Sequence, residues 1–147
     1  MELAYIHPDD VHAYWPYVKP RLEKVKAKTN ARWLPEDVYA ALKSRGATLH
    51  IVKKQSTVEY AEGVIAVDYL GLVVLRPSQD YDGKVLWVWV AFSENPDVVD
   101  RFIPELVEYA RNMGAKRLAF SSPRKWERRL KRFGWSEAQA IFEKVVA

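Results

Sequence analysis

The chain has 147 residues, 49% of them hydrophobic and 29% charged, with a net charge of +4. Such a length suits one domain, residues 1–147, with a substantial core, and the composition is that of a globular protein. Cysteine is absent, which excludes disulfides, a thiol nucleophile and thiolate metal sites. His7, His12 and His50 are too scattered for a metal site and read as structural or surface residues. The N-terminal segment shows no basic stretch leading into a long apolar run, and no window approaches the roughly 18 apolar residues of a membrane span. The expectation is a cytoplasmic protein.

Residues 2–6 read as an opening strand. Pro8 suits the first turn of a helix, with Asp9 and Asp10 at its positive end. Val11, Tyr14, Trp15, Val18, Leu22 and Val25 recur at helical spacing, so a helix to about Lys26 is predicted, kinked or divided at Pro16 and Pro20. A second helix opens at residues 33–37, runs to Ser44 and is closed by Gly46. Residues 48–53 form a strand, 54–61 a hairpin connection and 63–75 a longer strand. Within that longer strand Gly71 marks a bulge or bend.

Residues 77–83 read as a turn. The run 85–92 is apolar on both faces, as in a central strand covered from both sides. The following helix starts with Asn95 or Asp100 as its cap. It carries the stripe Val98, Phe102, Leu106, Tyr109 and Met113 and ends at Gly114. A strand over 116–121, a helix from Pro123 to Phe133 and a closing strand over 138–146 complete the order β-α-α-β-β-β-α-β-α-β.

Charge is concentrated in one place. Residues 116–132 hold eight bases against one acid, Glu127, a local charge of +7 that leaves the remainder near −3. Aromatic residues reach 13%, with six Trp and eight Tyr, which supply a ring-rich core or line a ligand groove.

The stretch Trp126-Glu127-Arg128-Arg129-Leu130-Lys131-Arg132-Phe133-Gly134-Trp135 resembles a late helix of the GNAT superfamily of N-acetyltransferases. Asn112-Met113-Gly114-Ala115-Lys116-Arg117-Leu118 is similar to that family's turn into its fifth strand. The resemblance extends over nearly the whole chain through the order of elements. It implies an α/β (α+β) fold with a mixed, largely antiparallel sheet flanked by helices, and acetyl-CoA or another acyl-CoA as cofactor with no metal. In that family the pantetheine arm lies where a central strand splays from its neighbour, and the pyrophosphate rests on the next helix N-terminus. The resemblance therefore points to Trp89, Val90 and Ala91 as cofactor-binding through backbone groups, with Arg124, Lys125 and Arg128 meeting the phosphates.

Two departures stand out. The loop 92–100 has no glycine, carries Glu94, Asp97 and Asp100, and loses an N–H at Pro96. Leu130 stands where the family's proton-donating tyrosine is found, and Pro123 replaces an asparagine. Tyr109, Tyr69 and Tyr81 are the candidate substitutes for the acid, Tyr109 first, and Asp68 is the candidate base ahead of Glu59 and Glu62.

Three functions follow from these residues. The first is an acyl-CoA-dependent N-acyltransferase acting on a small-molecule or protein amine. The second is a family-like fold without catalysis, self-associating or binding a protein partner, of a kind met among bacteriophage proteins in the host cytoplasm or virion. The third is nucleic-acid contact through the basic helix 124–132, which places six bases in nine positions.

Overall fold

The computed structural model describes residues 1–57, 65–96, 98–121, 131, 134–136, 138 and 142–146, and at 56, 57, 65 and 66 the backbone alone. Five strands form one sheet in the order β1 (Glu2–Ile6), β2 (Thr48–Thr57), β3 (Ile65–Asp80), β4 (Gly83–Ser93) and β5 (Ala115–Ala119). The first three pairings are antiparallel, and β4 pairs with β5 in parallel. Helices α1 (Val11–Thr29), α2 (Pro35–Lys43) and α3 (Ile103–Asn112) complete the described elements, with 3-10 turns at Pro8–Asp10 and Val99–Phe102. This is the mixed, largely antiparallel architecture that the order of elements implied.

The two faces of the sheet have separate cores. On one, Val11, Val18, Leu22, Val38 and Leu42 of α1 and α2 meet Leu49, Ile51, Leu72, Val74 and Val90. On the other, Leu106 and Ala110 of α3 and Val99 of the preceding turn meet Val73, Leu75 and Leu86. Removing one such leucine or isoleucine from water contributes about 1.5–3 kcal/mol. That gain explains why α1 runs unbroken through Pro16 and Pro20, where the sequence suggests a division. Val18 and Leu22, both 0% exposed, hold the helix against the loss of two backbone donors. The helix ends at Asn30, which adopts the left-handed conformation with φ 52°.

Several boundaries differ from the sequence reading. Arg45, with φ 66°, and not Gly46 takes the left-handed position after α2. Strand β2 continues to Thr57, through part of the expected hairpin connection. The expected turn over 77–83 is mostly strand: β3 and β4 remain paired from Pro77↔Leu86 to Asp80↔Gly83, which leaves Tyr81 and Asp82 at the tip. Pro77 and Gly83 had suggested a wider loop, but Gly83 supplies φ 122° and the Asp80 carboxylate accepts from the Asp82 N–H at 2.8 Å. The helix of residues 123–133 lies almost wholly outside the described residues. Ala138 and residues 142–146 form no strand, and Phe142 and Val146 are 93% and 95% exposed, so these residues do not build the closing strand.

Candidate functional site: a slot beside the fourth strand

Strand β4 pairs with β5 over only part of its length. The register runs from Lys84↔Ala115 through Leu86↔Leu118 to Trp87↔Ala119, where β5 ends. Residues 88–93 of β4 stay paired to β3 on one edge, and among the described residues no strand covers the other. Outward-facing N–H and C=O groups on that edge need a partner, which makes this half of β4 a ready template for an extended, amide-bearing ligand.

A bulge shapes the open half. Val88 stands opposite Leu75 and Val90 opposite Val74, so Trp89 is one residue too many for the ladder. The extra residue changes which face each neighbour serves. Val88 packs in the α3-side core, whereas Trp89, Val90 and Phe92 belong to the α1–α2 side. Val90 is 3% exposed, so this residue can offer a ligand only its backbone, while Ala91 is exposed. Gly71 stands opposite Ser93 in the register, and a Cβ there would lie 2.6 Å from the Phe92 carbonyl oxygen. Another register shift, between Val52 and Lys53 of β2, leaves Leu70 of β3 surplus beside this glycine, in keeping with the bulge or bend that its place in an apolar run suggested.

The loop after β4 is closed by its own side chains. The Ser93 hydroxyl accepts the Val99 N–H at 3.1 Å, and the Glu94 N–H donates to the Leu70 carbonyl at 2.9 Å. The Glu94 carboxylate accepts from Arg21 Nε at 2.8 Å and from the Tyr17 hydroxyl at 3.1 Å. Burial first, and the Glu94 carboxylate second, push the Tyr17 hydroxyl well above the ordinary tyrosine range. Glu94 is therefore not the bare negative charge that the loop sequence implies. Helix α3 begins at Ile103, with Pro104 in its first turn and Phe102 at the cap position. The loop thus lacks a glycine cradle, and the Val99 N–H is already satisfied. It suits a diphosphate poorly.

The residues singled out in the sequence are scattered around this slot. Trp89, Val90 and Ala91 line its β4 side. Asp68 is exposed on β3 opposite Lys54, beyond the last β3 residue that pairs with β4, Gly71. Tyr109 leans edge-on against His50 with ring centroids 5.4 Å apart. His50 pairs with Val73, five residues from Asp68, a separation of about 16 Å along the strand. The structure does not bring Asp68 and Tyr109 together, and it turns Tyr109 toward β2, away from the slot. Tyr81 is fully exposed at the hairpin tip. Tyr69 packs against Tyr14 and Tyr17, at 5.6 and 5.1 Å between centroids. Glu59, Glu62, Arg124, Lys125 and Arg128 lie outside the described residues.

What the sequence reading missed is a row of cations over rings on the α1–α2 face. Arg21 lies 4.0 Å from the Tyr17 centroid, Lys53 4.8 Å from Tyr14, Arg76 4.9 Å from Trp89 and Lys24 6.0 Å from Phe92. Arg21 over Tyr17 is a four-apart pair within α1 that helical spacing could have signalled, whereas the other three pairs join different elements and no local spacing signals them.

The fold that sets these features side by side is shared with solved acetyltransferases. The chain superposes on a probable acetyltransferase with a TM-score of 0.63 at 14% identity, covering 100% of this chain and 97% of that one. Against a ribosomal-protein-alanine N-acetyltransferase from Brucella melitensis biovar Abortus 2308 the TM-score is 0.56 at 19% identity, with 100% and 99% covered. The aminoglycoside N-acetyltransferase AAC(6')-Iy in complex with CoA gives 0.62 at 12% identity, with 99% and 95% covered. At these identities the likeness is one of fold. No family model matches the chain, and no curated protein does. Among the described residues no helix is long and apolar enough to cross a membrane, and no cluster of metal-ligating side chains occurs.

Proposed function

We propose that this chain is an acyl-CoA-dependent N-acyltransferase acting on an amine, as the aminoglycoside and ribosomal-protein-alanine enzymes of the same fold are named. The observation that carries the reading is the loss of β4–β5 pairing after Trp87↔Ala119, with the Trp89 bulge on the bared strand. The acyl-pantetheine arm of the donor extends along residues 88–93, replacing the missing strand. A neutral amine attacks the thioester carbonyl. The new N–C bond forms as the C–S bond breaks, coenzyme A leaves as thiolate, and the amine proton balances that charge. Backbone N–H groups at Trp89–Ala91 stabilise the oxyanion. Asp68, solvent-exposed on β3, takes the amine proton by way of water, and water returns it to the thiolate. Arg124, Lys125 and Arg128 meet the donor phosphates in place of the loop, which lacks glycine.

Calorimetric titration with acetyl-CoA, followed by thiol-release assays over a panel of amines, tests the reading. Binding with micromolar affinity, and turnover of at least one amine, is the expected result. If millimolar acetyl-CoA neither releases heat nor raises the melting temperature, the transferase reading fails, since a ligand of the native state must stabilise it.

A further inference from the structure

The α1–α2 face of the sheet carries information about the amine. The loop after β4 leaves Glu94 on the α1–α2 face, bound to Arg21, and then crosses to the other, where Val99 and Ile103 pack in the α3-side core. A donor approaching from the α3 side would present its thioester through the slot, with the acceptor on the α1–α2 side. All four cation–ring contacts among the described residues lie on that side, since Tyr14, Tyr17, Trp89 and Phe92 all pack against its core.

The charges on this face do not cancel. Its acid nearest the slot, Glu94, is taken up by Arg21 and Tyr17. Lys53 donates to the Tyr14 hydroxyl at 2.6 Å. Arg76 and Lys24 enter no ion pair among the described residues. Arg76 is exposed, stands opposite Trp87 in the register and lies on the indole of the bulge residue itself. Trp87 is turned aside by its own bond, Nε1 to Ser78 Oγ at 3.0 Å. A guanidinium stacked on an indole is held in one plane while its edge N–H groups stay free, which is the geometry that grips a carboxylate with two parallel bonds.

We propose that Arg76 binds an anionic group on the acceptor, so that the substrate is an amine bearing a carboxylate or similar oxyanion and not a polycation. The inference rests on the transferase reading for its chemistry but not for its binding site. Trp89 then serves twice, through its backbone toward the thioester and through its ring as the platform that orients Arg76. Losing the ionic pair lowers kcat/KM for such an acceptor by ~10–100-fold.

Two measurements test it. The first compares kcat/KM for amino acids and their primary amides, with a linear polyamine as a third acceptor, at fixed acetyl-CoA. The wild-type chain prefers the free acid, Arg76→Gln removes the preference while still acetylating the amide, and Arg76→Lys keeps part of it. Comparing the acid-to-amide ratio between variants cancels the difference in amine basicity. The second measures the melting temperature with N-acetyl amino acids against their amides: the free acids stabilise the wild type and leave Arg76→Gln unmoved. Turnover that is indifferent to the carboxylate, or fastest with the polyamine, overturns the inference and leaves the transferase reading standing. Stabilisation by free acids through Arg76, with no binding of acetyl-CoA, upholds the anion site and removes the transferase reading. No stabilisation and no acid preference removes the site.

Discussion

Arg21 and Glu94, 73 residues apart in the chain, meet at 2.8 Å, so that the first helix holds the residue directly after β4. The pair is partly buried, with side chains 26% and 29% exposed, and it gains from the Tyr17 hydroxyl on the same carboxylate oxygen and from the Arg21 bond to the Tyr17 carbonyl at 3.1 Å. The contact neutralises a charge at the mouth of the slot and pins the loop toward α1.

Glu94→Gln releases that guanidinium and leaves one more positive charge near the loop. Acetyl-CoA is expected to bind about 2–5-fold tighter at low salt, with the gain shrinking above 0.5 M as screening sets in. The same variant loses about 1 kcal/mol of stability, because a partly buried charged hydrogen bond is gone. Titrations at two ionic strengths, beside urea unfolding, check both parts. Weaker binding at low salt would show instead that Glu94 orients the donor loop.

Gly71→Ala places a methyl group 2.6 Å from the Phe92 carbonyl, a backbone atom that cannot swing away. The expected cost is ~1–3 kcal/mol through displacement of the β4 end. Gly114→Ala makes a useful partner: its φ of +80° strains any side chain, yet nothing lies within 4 Å, so about 1 kcal/mol is lost. Only the first variant should also weaken acetyl-CoA binding. Urea midpoints and calorimetry on both separate contact from conformation.

Deleting Trp89 and truncating it test different things. Trp89→Ala keeps the register and loses a partly buried ring, for a cost of about 3 kcal/mol. Deletion removes the surplus residue and leaves Val88 opposite Leu75, Val90 opposite Val74 and Phe92 opposite Leu72, each on the face it already serves. The deletion variant is therefore expected to match Trp89→Ala in denaturant titration, while binding acetyl-CoA more weakly because the β4 edge has lost its bulge. A deletion clearly less stable than the truncation would mean that the bulge itself holds the ladder in place.

His50 gives the protein a pH limit. Burial pushes its imidazole down to about 4 from 6.5, and its ring sits between Tyr5 and Tyr109 with Thr48 Oγ1 at 3.0 Å from Nε2. The unfolded chain therefore binds this proton more readily than the folded one. Stability is fully present above pH 6.5 and falls as the pH drops toward 4, by up to about 3 kcal/mol at the lower end. Melting temperatures measured between pH 7.5 and 4 should follow that slope, and His50→Asn should flatten it.

Much of the architecture is legible in local pattern. The apolar spacing in α1 and the stripe of α3 name core residues directly: Val18, Leu22, Phe102 and Leu106 are all at most 6% exposed. Tyr109, counted in the same stripe, is 38% exposed, its ring set edge-on against His50 of β2. Boundaries were harder. The hairpin of β3 and β4 extends through Pro77 because cross-strand pairing outweighs the turn-forming tendency of the residues within it. The candidate site was half visible: the loop without glycine and the bare segment 89–91 could be read, but not the partners that complete them.

By itself, the sequence determines which segments become helix or strand and which of their faces are apolar, because repeats of 3.6 and 2 residues are properties of neighbours in the chain. It also determines that the loop after β4 cannot cradle phosphates with glycines. Only the tertiary structure decides that Trp89 is surplus to the ladder, that β5 stops at Ala119, that Glu94 belongs to Arg21 and that Arg76 rests on Trp89. Each of these compares one segment with another far along the chain, and their register is set by packing energies that no single segment contains.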